Sequence, residues 1–407
     1  MTTTWTVSRV LRDRDAALYL GAVVVSGLGT SALWLASGVW VKDLTGSDGL
    51  AALCTFALWV PSLAGPPLGT LADRARRKPL LITVNLLLAA LLLTLLTVDS
   101  AAGLWLLFTV LLVYGTASVV HDAAESALVA AAVAPELLGD FNGLRTTAVE
   151  GMKLVAPLAG AGLYAVYGGP GVAVLDAVTF VGAALLYLCV RVRESAPVPA
   201  TSGWWEQTAE GARHLWRDAG LRHLVLAGGT TMLFAGVNGA LVYAVVEGLG
   251  HSPAFAGVLY AVQGAGSVVV GLASGVALRR LGERRFAVGG MALTGVAVAL
   301  RAVPSDAVAL VCSAAIGVGL PCVLIAALTA VQSRVPQRML GRVGATAHTL
   351  MFAPNAVGLA AGALLVELVD HRLLLVVLGL AQLAVLAQSP LSPLRTASRS
   401  ASDANPA

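Results

Sequence analysis

Gly69-Thr70-Leu71-Ala72-Asp73-Arg74-Ala75-Arg76-Arg77-Lys78-Pro79 places five charges between two strongly apolar runs. Each flanking run approaches or exceeds the ~20 residues that cross a bilayer as a helix. The charges therefore occupy a short turn at the membrane surface. Four of them are cations, and an excess of Lys and Arg in a short loop marks the cytoplasmic side.

The composition agrees. The 407 residues are 57% hydrophobic and 12% charged, with a mean hydropathy of +0.83, whereas soluble domains carry about 25% charged residues. The net charge of +4 does not indicate a nucleic-acid partner, because the cations lie in short turns between apolar runs rather than on one face. Cys54, Cys189, Cys312 and Cys322 all fall inside apolar runs without metal-ligand spacing, so neither a disulfide framework nor a cysteine metal site is expected. Residues 1–15 are polar, with Arg9, Arg12 and Arg14, and precede a run long enough to span, which is not the pattern of a cleavable signal peptide.

Taken in order, apolar spans are read near 16–41, 49–72, 80–98, 102–133, 142–166, 171–190, 221–246, 253–278, 286–303, 306–332, 343–369 and 371–389. Charge supports twelve. With both termini cytoplasmic, 21 of the 26 Lys and Arg fall in cytoplasmic segments, only Lys42, Arg301 and Arg372 fall outside, and Arg145 and Lys153 lie within the fifth span. Moving the count by one span would destroy that asymmetry in half the chain.

The expected organisation is a six-helix bundle over 1–192, a cytoplasmic linker over 193–220, a second six-helix bundle over 221–389, and a disordered tail over 390–407. Ser195–Gly203 reads as flexible. Trp205, Ala209, Ala212 and Trp216 recur at helical spacing among Glu206, Glu210, Arg213 and Arg217, which predicts an amphipathic connector helix on the membrane surface. The halves also echo one another. Gly275-Val-Ala-Leu-Arg279-Arg280-Leu-Gly282-Glu283-Arg284-Arg285 follows Gly69 by 206 residues, with Arg279 where Asp73 would repeat. Val335-Pro336 to Leu340-Gly341 echoes Ala134-Pro135 to Leu138-Gly139, and Ala353-Pro354 echoes Ala156-Pro157. Such repeats are the mark of transporters with a substrate site between their halves.

The pattern G-x-L-A-D-R-x-x-R-K at Gly69–Lys78 resembles the loop between helices 2 and 3 of the major facilitator superfamily. Pro135-Glu-Leu-Leu-Gly-Asp-Phe-Asn142-Gly-Leu144, Pro157-Leu-Ala-Gly160 and Leu175-Asp176-Ala-Val-Thr-Phe180 resemble the subgroup of bacterial enterobactin and macrolide exporters. The resemblance implies an all-α membrane protein with twelve transmembrane helices in two pseudo-symmetric six-helix bundles. It also implies a conformational switch at Gly69, Asp73, Arg74, Arg77 and Lys78. Asp73 would dock on a helix N-terminus of the other half, a favourable site for an anion, and Arg74 would pair with an acid of its own half. Arg76 stands where the family prefers glycine. Ala156-Pro157-Leu-Ala-Gly160-Ala161 is similar to the antiporter motif G-P-x-x-G-G, with alanines replacing two glycines; Pro157 would kink the helix, and small residues there permit close helix approach.

Ionisable groups inside a span are costly and need a reason. The fourth and fifth spans hold His121, Asp122, Glu125, Glu150 and Lys153. Asp122 and Glu125 share a helical face, as do Glu150 and Lys153. If the turn between the spans is centred between Leu137 and Leu138, Glu125 faces Glu150 and Asp122 faces Lys153. The second pair reads as an ion pair, and the first as carboxylates that share a proton. Two readings stay open: proton coupling or substrate contact, and a static charge network that includes a partner for Arg74 or Arg145. His121-Asp122-x-x-Glu125 also raises a membrane-embedded metal enzyme, but a metal hydrolase needs two or three ligands and an open position, and the other intramembrane histidine, His348, brings no companion motif. No metal and no enzymatic activity are expected. Cavity-lining candidates are Trp34, Asn238, Gln263, His348 and Asn355.

These observations lead to a proton-coupled exporter of amphipathic small molecules, such as a drug, antibiotic, siderophore or other natural product. It is expected to be a monomer in the bacterial cytoplasmic membrane, driven by the proton gradient without a bound cofactor. The alternatives are an importer of a small metabolite or a transport-inactive sensor.

Overall fold

The computed structural model describes residues 6–45, 48–192, 203–251 and 255–391, and all regular structure among them is helical. Most of the predicted linker stretch Ser195–Gly203 and the tail beyond Leu391 lie outside the described residues. Helices α1 (Thr6–Arg12), α2 (Arg14–Thr45), α3 (Asp48–Trp59), α4 (Gly65–Asp73), α5 (Arg77–Leu93), α6 (Leu104–Ala132) and α7 (Leu138–Cys189) make up the N-terminal half. Then follow α8 (Trp204–Arg217), α9 (Ala219–Ala240), α10 (Val242–Gly248), α11 (Phe255–Leu300), α12 (Asp306–Arg334), α13 (Leu340–Leu368) and α14 (His371–Gln388).

Eight described helices are long and apolar enough to cross a membrane, or nine if the bent α9–α10 pair is one span. The predicted spans map onto these elements. The second span is interrupted: a 3-10 segment over Val60–Ala64, containing Pro61, separates α3 from α4, as expected where proline removes a backbone donor. Helices α7 and α11 each cover two predicted spans, broken at Gly168 (φ 67) and Gly282 (φ 73). Both glycines take positive-φ backbone that other residues adopt only with strain, so each marks a kink between two helical segments. At ~1.5 Å per residue, the 46 residues of α11 are long enough for two crossings.

The described residues form two compact units. The first comprises Met1–His214 with Val331–Thr349, and the second Leu215–Ala330 with Leu350–Ala407. The first unit has two apolar cores: one around Leu33, Trp40, Leu88, Leu107 and Phe180, the other around Tyr19, Leu128, Phe141 and Tyr187. Its aromatic centre is built edge to face, with Tyr19 against both Phe141 and Tyr187. The second unit packs around Leu241, Val298, Ile316 and Leu375. The ends of α12 and α13 that flank the turn at Val335–Met339 belong with the first unit because polar side chains of that unit bind them.

Candidate functional site

Two groups of polar side chains in the first unit gather most of the predicted site residues. The first surrounds the turn after α4. Asp73 is the last residue of α4, and its side chain is 7% exposed. Its Oδ1 accepts from the backbone N–H of Gly341 at 2.7 Å, and its Oδ2 from that of Arg342 at 3.0 Å. These donors lie in the first turn of α13, where backbone N–H groups have no partner within the helix and the dipole favours an anion. Arg342 Nε adds a contact to Oδ2 at 3.7 Å. Gly69 makes the approach possible, since a Cβ there would meet Ala345 and the Gly341 carbonyl. Burial pushes the Asp73 carboxyl up to about 6, against the opposing pull of the Arg342 and Gly341 N–H donors.

The neighbouring cations are also engaged. Arg77 donates to the Gln337 carbonyl at 2.6 Å, and Lys78 donates to the carbonyls of Leu188 and Val190 at 2.9 and 2.8 Å, at the C-terminal end of α7. Arg74 differs from the expectation of an acidic partner: its Nε donates to Gln207 Oε1 at 3.1 Å, and its guanidinium lies 5.1 Å from the Trp204 ring. The reason is α8. Its predicted apolar stripe is exposed at Trp205 and Trp216, while Gln207 and Gly211 on another face are buried. Gln207 and Glu210 also receive Arg342 Nη1, at 3.3 and 3.1 Å. Arg76, in place of the family's glycine, has extended backbone (φ −67, ψ 125), which an arginine adopts without strain.

The second group lies between α6 and α7. Glu125 is 4% exposed and pairs with Arg145 at two points, Oε2–Nη2 at 2.8 Å and Oε1–Nε at 3.4 Å. The expected facing of Glu125 and Glu150 is therefore replaced by an ion pair. The cause is the position of the turn: α6 ends at Ala132, Val133 and Ala134 are extended, and the chain reverses around Pro135, earlier than a symmetric count places it. Glu150 is partly exposed and has interactions of its own. The side chains of Lys153 and Pro157 lie outside the described residues, and with them the expected Asp122–Lys153 pair. Gly160 packs against Ala32 of α2.

His121, Asp122 and Glu125 bring potential ligand atoms within 4.8 Å of one another, but Arg145 already holds Glu125, and its positive charge opposes a cation there. His121 Nε2 is buried without a hydrogen-bond partner, and its ring packs edge to face on Tyr187 at 6.0 Å. His348, near the start of α13, lies in electrostatic reach of Asp122 and Arg145, so this histidine does have company. Asn142 donates to Gln332 at 2.6 Å, and Gln332 donates to Ser126 at 3.3 Å.

Of the other cavity candidates, Trp34 is 48% exposed. In the second unit Asn238 is buried and accepts from Arg301 at 3.5 Å, Asn355 donates to the Met232 carbonyl at 3.1 Å, and Gln263 is partly exposed. Sequence reasoning missed Asp176, a fully buried acid on α7 that accepts from Tyr114. An ionisable residue inside an apolar run was the available signal.

Comparison with known proteins matches this architecture. Macrolide efflux protein A of Streptococcus pyogenes is 22% identical over 362 residues, covering 86% of this chain and 89% of that protein. A bacterial homologue of the iron transporter ferroportin, in an outward-facing state, superimposes with a TM-score of 0.74 at 18% identity over 91% of this chain and 96% of that one. A human organic anion transporter gives 0.75 at 16% identity, over 92% and 98%. The sequence profile of the Major Facilitator Superfamily matches residues 19–358 and 224–403. The chain belongs to the Major Facilitator Superfamily and is a membrane transport protein.

Proposed function

We propose that this protein is a secondary active exporter that couples proton uptake to outward movement of amphipathic small molecules by alternating access. The observation that carries the reading is the pair of buried Glu125 with partly buried Arg145, with His121, Asp122 and His348 around it. Five ionisable side chains in apolar helices are an expensive arrangement, and a carboxylate that exchanges a guanidinium for a proton is a ready coupling element. Glu150 and Lys153 remain candidates for the same work, with Trp34, Asn238, Gln263 and Asn355 as weaker candidates for substrate contact.

Gly69, Asp73, Arg74, Arg77 and Lys78 act as the switch. The Asp73 carboxylate holds the α13 N-terminus and must release it for the transporter to change state. Export is favoured over import by the relative named a macrolide efflux protein, which aligns along most of both chains. The reading places the protein as a monomer in the bacterial cytoplasmic membrane with both termini inside, powered by the proton gradient and without a bound cofactor. The test is accumulation of a radiolabelled macrolide and a panel of lipophilic cations in inverted membrane vesicles. Uptake that collapses when a protonophore is added supports the reading; uptake unaffected by the protonophore overturns it.

A further inference from the structure

We propose that Asp176 is a proton-binding site of the transporter, carried as an uncharged carboxylic acid in a hydrogen-bonded chain that joins α2, α6 and α7. The idea extends the proton-coupled reading above to a residue outside the α6–α7 ion-pair cluster. Asp176 has no exposed surface and lies eight residues beyond the break at Gly168, roughly 12 Å along the helix. Its side-chain partners among the described residues are hydroxyls: Tyr114 donates to Oδ2 at 3.2 Å, and Thr179 lies 3.3 Å from Oδ1. Tyr114 in turn shares a 2.8 Å hydrogen bond with Thr30 of α2.

Donor counting selects the acid form. Thr179 has one hydroxyl hydrogen, and its better acceptor is the backbone carbonyl of Asp176 at 2.7 Å. An ionised Asp176 would keep one good donor, from Tyr114, for two charged oxygens, and burial of so poorly satisfied a charge is costly. With a proton on Oδ1, every group is served. The acid O–H donates to Thr179 Oγ, Thr179 donates to the Asp176 carbonyl, and Tyr114 donates to Oδ2. The other ionisable group recorded near this chain is Asp122, in electrostatic reach of Tyr114; α2 contributes Thr30, and α7 contributes Thr179. No described Lys, Arg or His forms an ion pair with Asp176.

The pocket is shaped for this arrangement and has a way out. A Cβ at residue 29 would collide with both Asp176 and Thr179, so Gly29 is the residue that lets α2 close over them. Thr30 is partly exposed, and Trp34, one turn further along α2, is 48% exposed. Asp176, Tyr114 and Thr30 thus link a fully buried acid to an accessible helix face. On release, the carboxyl group and the Tyr114 and Thr30 hydroxyls reverse their O–H directions, so that the acid O–H donates to Tyr114 and Tyr114 donates to Thr30; the proton then leaves by way of Thr30 and the carboxylate keeps the electron pair.

Infrared difference spectroscopy on the purified full chain in lipid nanodiscs, stepped between acid and alkaline pH, tests the proposal without any substrate. A protonated-carboxyl C=O band is expected in the wild type, absent in Asp176→Asn and shifted in Tyr114→Phe. Should Asp176→Asn fail to fold, Tyr114→Phe keeps the test sharp, because loss of one hydrogen bond must move the band. No band, or one indifferent to both variants, overturns the proposal. In vesicles, Asp176→Asn should lose protonophore-sensitive macrolide uptake by about 100-fold or more while downhill exchange persists, the range expected when a positioned proton-transfer group is removed; wild-type uptake that ignores the protonophore would instead sink the transport reading, and the infrared result would still decide the proton site.

Discussion

The two units solve the burial of polar groups differently. In the first, charged side chains are held by specific partners: Glu125 by Arg145, and Asp73 by the α13 N-terminus and Arg342. In the second, the buried polar residues are mostly uncharged, such as Thr231, Asn238, Ser267, Thr294 and Gln382, and Gly290 with Gly319, or Gly379 with Gly295, brings helix backbones into contact. The repeated turn shows the same division. Where the first copy has Asp73 on a helix N-terminus, the second has Arg279, and its Arg284 donates to the carbonyls of Pro390 and Leu391 at 2.9 Å. With one position changed, one turn binds a helix N-terminus and the other binds the carbonyls just beyond α14. The proposed switch and coupling groups thus all lie in the first unit, while the second is close-packed around glycines.

The largest expected effect lies in the first unit's ion pair. Removal of one partner strands the other in a medium that solvates it poorly, costing about 3 kcal/mol. That is the lower end of the range for buried pairs, because Arg145 retains 30% side-chain exposure. Glu125→Gln and Arg145→Met should each lose most membrane expression, and the double variant should recover it. Recovery measured by fluorescence size-exclusion chromatography supports the pairing; equal loss in all three breaks it.

Next comes the latch. Asp73→Asn turns one of the two acceptor oxygens into an NH2 donor facing a backbone N–H of α13, forfeiting a hydrogen bond worth about 1 kcal/mol, so turnover should fall by roughly 5-fold, with substrate affinity and expression nearly intact. Unchanged turnover would reduce Asp73 to a topology signal and erase the contrast with Arg279.

A smaller effect follows from pH. The docked Asp73 carboxyl sits at about 6, above the ordinary aspartate value near 3.9, so the docked state binds the proton more tightly than an undocked, solvated turn. Docking therefore strengthens as pH falls through about 6 and is weakest above it. Thermal stability in detergent should rise by a few degrees between neutral and mildly acidic pH, and that rise should vanish in Asp73→Asn. A wild type less stable in acid than Asp73→Asn would reverse the sign and refute the assignment.

The smallest effect is expected at Arg284. It is exposed, and exposed polar contacts contribute about 1 kcal/mol or less, so Arg284→Ala should shift the melting temperature by only a degree or two and leave turnover unaltered. A loss of turnover comparable to that of Asp73→Asn would show that the second turn is also a latch.

Much of the fold was legible because its signals are local. Runs of apolar residues and the cations of Arg74–Lys78 each act within a few residues, and the cost of charge in lipid makes their pattern steep. The candidate site was legible in membership but not in pairing. His121, Asp122 and Glu125 stand out as ionisable residues in apolar helices, yet their partners depend on where the chain reverses. A turn at Pro135 rather than between Leu137 and Leu138 puts Arg145 beside Glu125.

By itself, the sequence determined which segments are helical and apolar, where the backbone must turn sharply, and which side chains are too costly in lipid to be idle. Tertiary structure alone decided what those side chains meet. Gln207 and Trp204 receive Arg74, Tyr114 and Thr179 enclose Asp176, and His348 comes into reach of Asp122. Hydropathy and helical period act along one segment, whereas a hydrogen bond or ion pair depends on the angle, depth and rotation of two segments far apart in the chain.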